Sequence, residues 1–155
     1  MPRLPRCFTA LLVAAALQSV GWFAGLPARA ASALAAWSFG KDGVLQLRTS
    51  TGARLDAFFE AGDRRQGPRV WIDFPGELSR PRRIPGSGPV REFRLGKPTP
   101  GATRLVIEFQ PGVTLDPGNL RLVGTAPDRW KLLFEGLPTQ GLRSIGEGDL
   151  NRASS

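Results

Sequence analysis

Histidine and tyrosine are absent from this chain of 155 residues, and cysteine occurs once, as Cys7. Without histidine, the chain cannot form a Ser-His-Asp triad, a Cys-His pair or a zinc site with histidine ligands. A single cysteine also excludes an intramolecular disulfide, so burial of apolar side chains must supply the stability. Since 41% of the residues are hydrophobic, the chain has enough apolar side chains to form one packed core. We expect one folded domain with no catalytic residues, no metal and no cofactor.

The first 30 residues have the features of a signal peptide. Arg3 and Arg6 precede the uncharged apolar run 8–17, and the small residues up to Ala30 suit signal peptidase. The run is shorter than the ~20 residues of a membrane span, although its extension through Phe23 would allow an uncleaved anchor. We expect cleavage after Ala30 and a periplasmic location, with membrane contact only through an uncleaved signal segment.

The formal net charge is +8, and the residues after position 30 carry 18 Lys and Arg against 13 Asp and Glu. Fifteen of those 18 bases are arginine, which recognises planar carboxylate and phosphate groups better than lysine does. A solvated basic surface is the simpler interpretation of this excess. Nucleic acid is not an expected partner, because the chain is expected to be exported and its bases are not interleaved with aromatic residues.

Residues 37–138 show short runs of alternating apolar and polar residues, separated by Gly and Pro turn signals, and no helical period. Such spacing is typical of an all-β sandwich or barrel. Residues 139–155 lack an apolar period and are predicted to be a flexible tail or a truncated linker. The predicted strands are 37–39, 44–49, 54–61, 69–74, 90–95, 103–110, 120–125 and 129–134.

The chain resembles itself at a distance of 60 residues. Segments 45–76 and 105–136 align without a gap and share seven identities, against about two expected by chance. Strand parity is kept, so Val70, Ile72 and Phe74 would face the same way as Trp130, Leu132 and Phe134. We therefore predict two related sheets, packed face to face about a pseudo-twofold axis, with Trp130 in the core. Chance convergence of two amphipathic halves is the alternative.

The same parity places Trp71 on the outward face beside Asp73, as a platform for a sugar ring or a partner surface. The alternatives are that the arginine-rich crossover, residues 77–89, folds over this tryptophan, or that the tryptophan covers a neighbouring strand. Asp73 and Glu108 are expected to pair with strand arginines such as Arg69 and Arg104 rather than to form a catalytic carboxylate pair.

A second group of candidate binding residues is basic. Arg94 could join the crossover arginines in contacting an anionic cell wall, whose stem peptides bear carboxylates. Parity places Arg91 on the face opposite Arg94, so these two would not share a patch. Alternatively, arginine at sheet edges serves to prevent strand pairing between molecules. The candidates of this group are Arg80, Arg82, Arg83 and Arg94.

Three segments in order carry a resemblance to a known family: residues 68–76 (PRVWIDFPG), 88–96 (GPVREFRLG) and 100–109 (PGATRLVIEF). Together they resemble the AMIN domain, which precedes the catalytic domain in periplasmic N-acetylmuramoyl-L-alanine amidases and occurs in some pilus secretins. The resemblance covers about residues 37–138. It implies a symmetric pair of β-sheets that holds a cell-wall hydrolase at peptidoglycan, often at the division site.

The resemblance does not extend to catalysis, because the family's amidase domain needs histidine and glutamate zinc ligands and this chain has no histidine. We therefore expect a non-catalytic peptidoglycan-binding module, either solitary or the front portion of an amidase. Expected partners are peptidoglycan and envelope or division proteins. The alternative is an interaction module of a pilus or secretin assembly that docks through an exposed strand edge.

Overall fold

The computed structural model describes residues 30–151 of the chain, so the predicted signal peptide lies outside the described residues except for Ala30. Within the described range no helix is long and apolar enough to cross a membrane. A three-residue 3-10 turn, Pro117–Asn119, precedes β8. The strands are β1 Leu34–Phe39, β2 Leu45–Thr49, β3 Ala57–Glu60, β4 Arg69–Pro75, β5 Arg82–Pro85, β6 Val90–Gly96, β7 Ala102–Phe109, β8 Leu120–Ala126, β9 Arg129–Phe134 and β10 Ile145–Glu147.

These strands form two antiparallel sheets of five strands each. Sheet 1 has the order β10-β1-β2-β9-β8 and sheet 2 the order β3-β4-β7-β6-β5. The predicted all-β sandwich of two related sheets is thereby confirmed. Each sheet nevertheless takes strands from both halves of the chain, because β1 and β2 pair with β8, β9 and β10, while β3, β4 and β5 pair with β6 and β7.

The internal repeat is preserved in the strand register. In sheet 1, Leu45 of β2 lies opposite Leu132 of β9, and in sheet 2 the residues 60 positions away, Leu105 and Ile72, lie opposite each other. A β-bulge is also duplicated: the β1–β2 ladder shifts between Leu34 and Ala36, and the β6–β7 ladder shifts between Val90 and Glu92. When the order of sheet 2 is read in reverse, as β5-β6-β7-β4-β3, its strands correspond one by one to β10-β1-β2-β9-β8 of sheet 1. Equivalent positions of the two sheets can therefore be compared directly.

The core lies between the two sheets. It consists of the side chains that point inward, which are every second residue along each strand. Along β4, Val70, Ile72 and Phe74 are each 1% exposed, as the period-2 pattern requires. Phe39 and Phe109 join them from the other strands, and both have edge contacts with Phe134. Trp130, predicted to be core, packs against this cluster but is only partly buried.

Two segments predicted to lack strands contain them. β5 lies in the crossover 77–89, where it pairs with β6 on one side only, so Pro85 can occupy it without loss of an interior hydrogen bond. β10 lies in the segment predicted to be a flexible tail, which is wrong for residues 139–150. Three residues suffice there, because Leu142 and Leu150 are buried on either side of the strand.

The chain before β1 is also fixed to the sandwich. Gly76 has a φ of 82°, which favours glycine, and a Cβ at this position would collide with the backbone of Ala31. Ala31 forms a parallel bridge with Glu77 next to this glycine. Contacts with the sandwich are thus present from Ala31, several residues before the predicted boundary at residue 37.

Candidate functional site

The outward face of sheet 2 carries a row of side chains that crosses all five strands. The register places Phe58, Trp71, Val106, Arg94 and Arg83 side by side on β3, β4, β7, β6 and β5. We call these five residues the central row. At about 4.8 Å between strands, the row is roughly 19 Å long. It joins two aromatic rings at one end to two guanidinium groups at the other.

The aromatic end of the central row is a stacked pair. The rings of Phe58 and Trp71 lie 5.7 Å apart at 18°, and the Arg104 guanidinium lies 5.3 Å from the centre of the Trp71 ring. Trp71 therefore faces outward, as predicted, but Phe58 and Arg104 cover part of its surface. Phe58, 43% exposed, is the more open of the two rings.

Arg104 is held over the tryptophan by Asp73. Its Nε and Nη2 donate to the two carboxylate oxygens of Asp73 at 2.7 and 2.8 Å. The hydrogen bond to Asp73 raises the pKa of Arg104 above its ordinary value, with partial burial opposing the shift. The predicted pairing of Asp73 with a strand arginine is confirmed, and it fixes one face of the aromatic platform.

Two carboxylates face each other beside the basic end of the central row. Glu92 and Glu108 are register partners on β6 and β7, and the Glu108 side chain is only 4% exposed. Like charges in this position repel, and arginines compensate: Arg94 lies 3.3 Å from Glu108 and 3.5 Å from Glu92. Arg91 lies 3.5 Å from Glu108. Glu108 thus pairs with arginines other than the predicted Arg69 and Arg104.

The predicted separation of Arg91 from Arg94 is wrong. The bulge between Val90 and Glu92 inserts one residue into the strand, so parity changes across it. As a result, both arginines approach the same carboxylate of Glu108. A bulge of this kind leaves no distinct mark in a short alternating sequence.

A shallow hollow of about 520 Å³ adjoins the central row. Its lining includes five cationic residues and no acidic one, because the carboxylates that pair with these cations lie around it. Each of the five cations has an ion pair with one of those carboxylates, at 2.7 to 3.5 Å, so a ligand with more than one carboxylate would bind in competition with these pairs. The hollow is lined by Pro81, Arg82, Arg83, Arg94, Leu95, Gly96, Lys97, Pro98, Arg104 and Val106.

The four predicted basic residues have different surroundings. Arg83 and Arg94 are register partners and share the outward face of sheet 2. Arg82 lines the hollow, but its Nη1 donates to Glu147 of sheet 1 at 2.8 Å, so its charge joins the two sheets. Arg80 is exposed and does not line the hollow. The structure therefore brings together three of the four, of which two present their charge to the outward face.

Phe58, Lys97 and Arg104 belong to the site but were not among the predicted binding residues, although Arg104 was expected as an ion-pair partner of a strand carboxylate. Phe58 and Phe59 are adjacent within a predicted strand, so one of them has to face outward, and that signal could have identified Phe58. Lys97 and Arg104 could not be assigned to the hollow, since their positions depend on the pairing of β5, β6 and β7.

The equivalent face of sheet 1 has a different character. Its corresponding row is Val123, Lys131, Gln46, Ser38 and Gly146, which leaves an open trough of about 620 Å³. Arg48 and Arg129 also line this trough, near Asp149 at 3.5 Å and Asp128 at 3.8 Å respectively. Trp37 and Trp130 are also among the residues that line the trough, but neither belongs to the row.

In the part of the chain that the structure describes, no group of three or more His, Cys, Asp or Glu residues is placed to hold a metal ion. No protein-family model, curated protein or solved structure matches the chain.

Proposed function

We propose that this chain is a non-catalytic module that binds peptidoglycan in the periplasm and localises a cell-wall hydrolase of the N-acetylmuramoyl-L-alanine amidase type. The observation that supports it best is the central row, which places an aromatic pair and a cation-lined hollow on one open sheet face. Peptidoglycan offers the matching groups, namely sugar rings and stem-peptide carboxylates. The resemblance of three ordered segments to the AMIN domain gives the same expectation.

The two ends of the row would have separate roles. The exposed Phe58 ring, supported from behind by Trp71, offers an apolar surface on which a sugar ring can pack. Arg83 is 72% exposed and Arg94 lies beside it, so their guanidinium groups can form charge-assisted hydrogen bonds with carboxylates. Both contacts hold a ligand in place, and neither supplies a nucleophile or a general base.

The test is co-sedimentation of the purified chain with isolated sacculi at low ionic strength. A double variant, Phe58→Ala with Arg83→Ala, removes one exposed group from each end of the row. Its control is Val123→Ala with Lys131→Ala, which changes the row of sheet 1 by the same number of residues. We expect the first variant to lose most of the bound fraction and the second to retain it.

Salt gives a second measurement, because carboxylate contacts weaken as ionic strength rises. Bound wild-type chain should fall steeply between about 0.05 and 0.5 M salt, and the Arg83→Ala variant should show a shallower decline. The proposal is contradicted if sacculi retain no wild-type chain under conditions in which they retain a known wall-binding protein. Equal loss in both double variants would contradict the assignment to sheet 2.

A further inference from the structure

The four outer edges of the two sheets are not equally protected. β3, β5 and β10 are three or four residues long, and β5 also carries two arginines and Pro85. β8 is seven residues long and contains neither proline nor lysine. Short strands, charges and proline are the usual means of blocking a sheet edge, so β8 is the edge most open to another strand.

The hydrogen-bonding phase of β8 identifies the groups that face outward. The N–H of Glu135 donates to the carbonyl of Asn119 at 3.1 Å, which continues the β8–β9 register by one pair. Because bonding alternates along an antiparallel pair, Leu122 and Gly124 direct their N–H and C=O groups away from β9. None of the turn or loop hydrogen bonds between residues 30 and 151 uses these four groups. The bulge beyond Gly124 ends the open stretch.

A cleft of about 330 Å³ lies beneath this edge, between β8 and β3, and its lining side chains are apolar except for Asp56. Its walls include Leu55 and Phe59 on one side and Leu120, Leu122 and Trp130 on the other. These residues are partly exposed or at the border of the core. A strand added beside β8 would direct every second side chain into this cleft.

The opposite side of an added strand would meet a basic surface. Arg121 and Val123 face outward on β8, and Lys131 lies opposite Val123 on β9. Lys131 has no ion pair with any residue in the range 30–151, and Arg121 has one exposed contact, with Glu135 at 3.4 Å. Acidic side chains on the outward positions of the added strand would complement these charges.

We propose that the β8 edge binds, by strand addition, an extended segment of a partner protein in which apolar residues alternate with Asp or Glu. The backbone groups of Leu122 and Gly124 would supply the affinity, and the cleft and the cations would select the alternation. The strand edge and the cations belong to sheet 1, and of the central row only Phe58 also lines the cleft, so the proposal does not depend on wall binding by sheet 2.

The probe is a pair of capped, fluorescently labelled decapeptides in which Leu and Val alternate with Glu. One peptide has its apolar residues at the odd positions and the other has them at the even positions. Anisotropy titration of the full chain should give saturable binding of at least one peptide. Replacement of Glu by Lys in that peptide should abolish binding. N-methylation of alternate backbone nitrogens should weaken binding at least tenfold when the methylated set faces β8, about the effect of two lost hydrogen bonds.

The matched variants are Gly124→Pro and Gly124→Ala. Proline removes the outward N–H, and a Cβ at this position lies at ordinary contact distance, 3.5 Å, from the Trp130 ring. We expect Gly124→Pro to weaken peptide binding about tenfold and Gly124→Ala to remain within about twofold of the wild type. Circular dichroism checks that both variants are folded.

Amide exchange of the wild-type chain gives a measurement that needs no variant. Bound peptide should slow exchange at Leu122 and Gly124 and leave the amides of β3 unchanged. Absence of saturable binding, equal binding to Gly124→Pro, or protection at β3 would each overturn the proposal. A dimer that Gly124→Pro abolishes, without peptide binding, would also overturn it, because the occupant would then be a second copy of the chain.

Discussion

The two sheets have the same strand order, the same register and the same bulge, but their outward faces differ at almost every position. Where sheet 2 has Trp71 and Arg94, sheet 1 has Lys131 and Ser38. The inward positions behave in the opposite way: Leu45 and Leu105, like Ile72 and Leu132, are apolar and buried in both sheets. The comparison shows that packing holds the inner faces alike and leaves the outer faces free to acquire separate functions.

The greatest effect is expected where the two sheets agree. Leu45→Ala and Leu105→Ala each remove a side chain that is at most 1% exposed, so each should lower the free energy of unfolding by about 2–5 kcal/mol. Urea denaturation measures both values. Costs that differ by more than about 2 kcal/mol would show that the two positions are not equivalent in packing.

A smaller effect on stability is expected at the position where sheet 2 has an arginine in a charge network and sheet 1 has a serine. Arg94→Ala leaves the buried Glu108 opposite the like-charged Glu92, with Arg91 as its remaining partner. We expect a loss of about 1–3 kcal/mol, against less than about 0.5 kcal/mol for Ser38→Ala at the equivalent position of sheet 1. Thermal denaturation of both variants checks the difference, and equal losses would mean that the network contributes no stability.

The aromatic pair should contribute less than the charge network. Trp71→Ala removes the stacking on Phe58 and the contact with Arg104, which together should cost about 1–2 kcal/mol. Lys131→Ala, its equivalent, should change stability by less than about 0.5 kcal/mol. Urea midpoints at constant m-value test this, and a neutral Trp71→Ala would show that the platform does not stabilise the fold.

The smallest effect on stability is expected from the most exposed cation of the central row. Arg83→Ala breaks one 3.3 Å contact with Glu92, and exposed pairs contribute less than about 1 kcal/mol. We expect an unchanged melting temperature together with reduced retention on sacculi. A destabilised variant, or one that binds sacculi normally, would remove Arg83 from the proposed binding residues.

Much of the fold could be predicted from alternation alone. The strands that became β1, β2, β3, β4, β6, β7, β8 and β9 were expected close to their observed positions, because most of the residues on one face of each are apolar. Two strands, β5 and β10, could not be found in this way: β5 contains a proline, and β10 has only three residues, so neither shows a period. Both are held by partners that lie far away in sequence.

The candidate site was only partly predictable. The outward direction of Trp71 follows from parity, and so does its place beside Asp73. The common partner of Arg91 and Arg94 does not, because one inserted residue changes the parity. The split between Arg82 and Arg83 depends on Glu147, which lies in a strand that the sequence did not predict.

The exchange of strands between the two halves has a consequence for how such a protein comes apart and how it could have arisen. Neither half can complete a sheet without the other, so we expect a single all-or-none unfolding transition, with no half surviving proteolysis in the crossover. Two separate copies of a half-length chain, intertwined as a homodimer, would form the same ten-stranded assembly. In a homodimer one sequence determines both outward faces, whereas in a chain that joins the two copies each half can change its sequence separately.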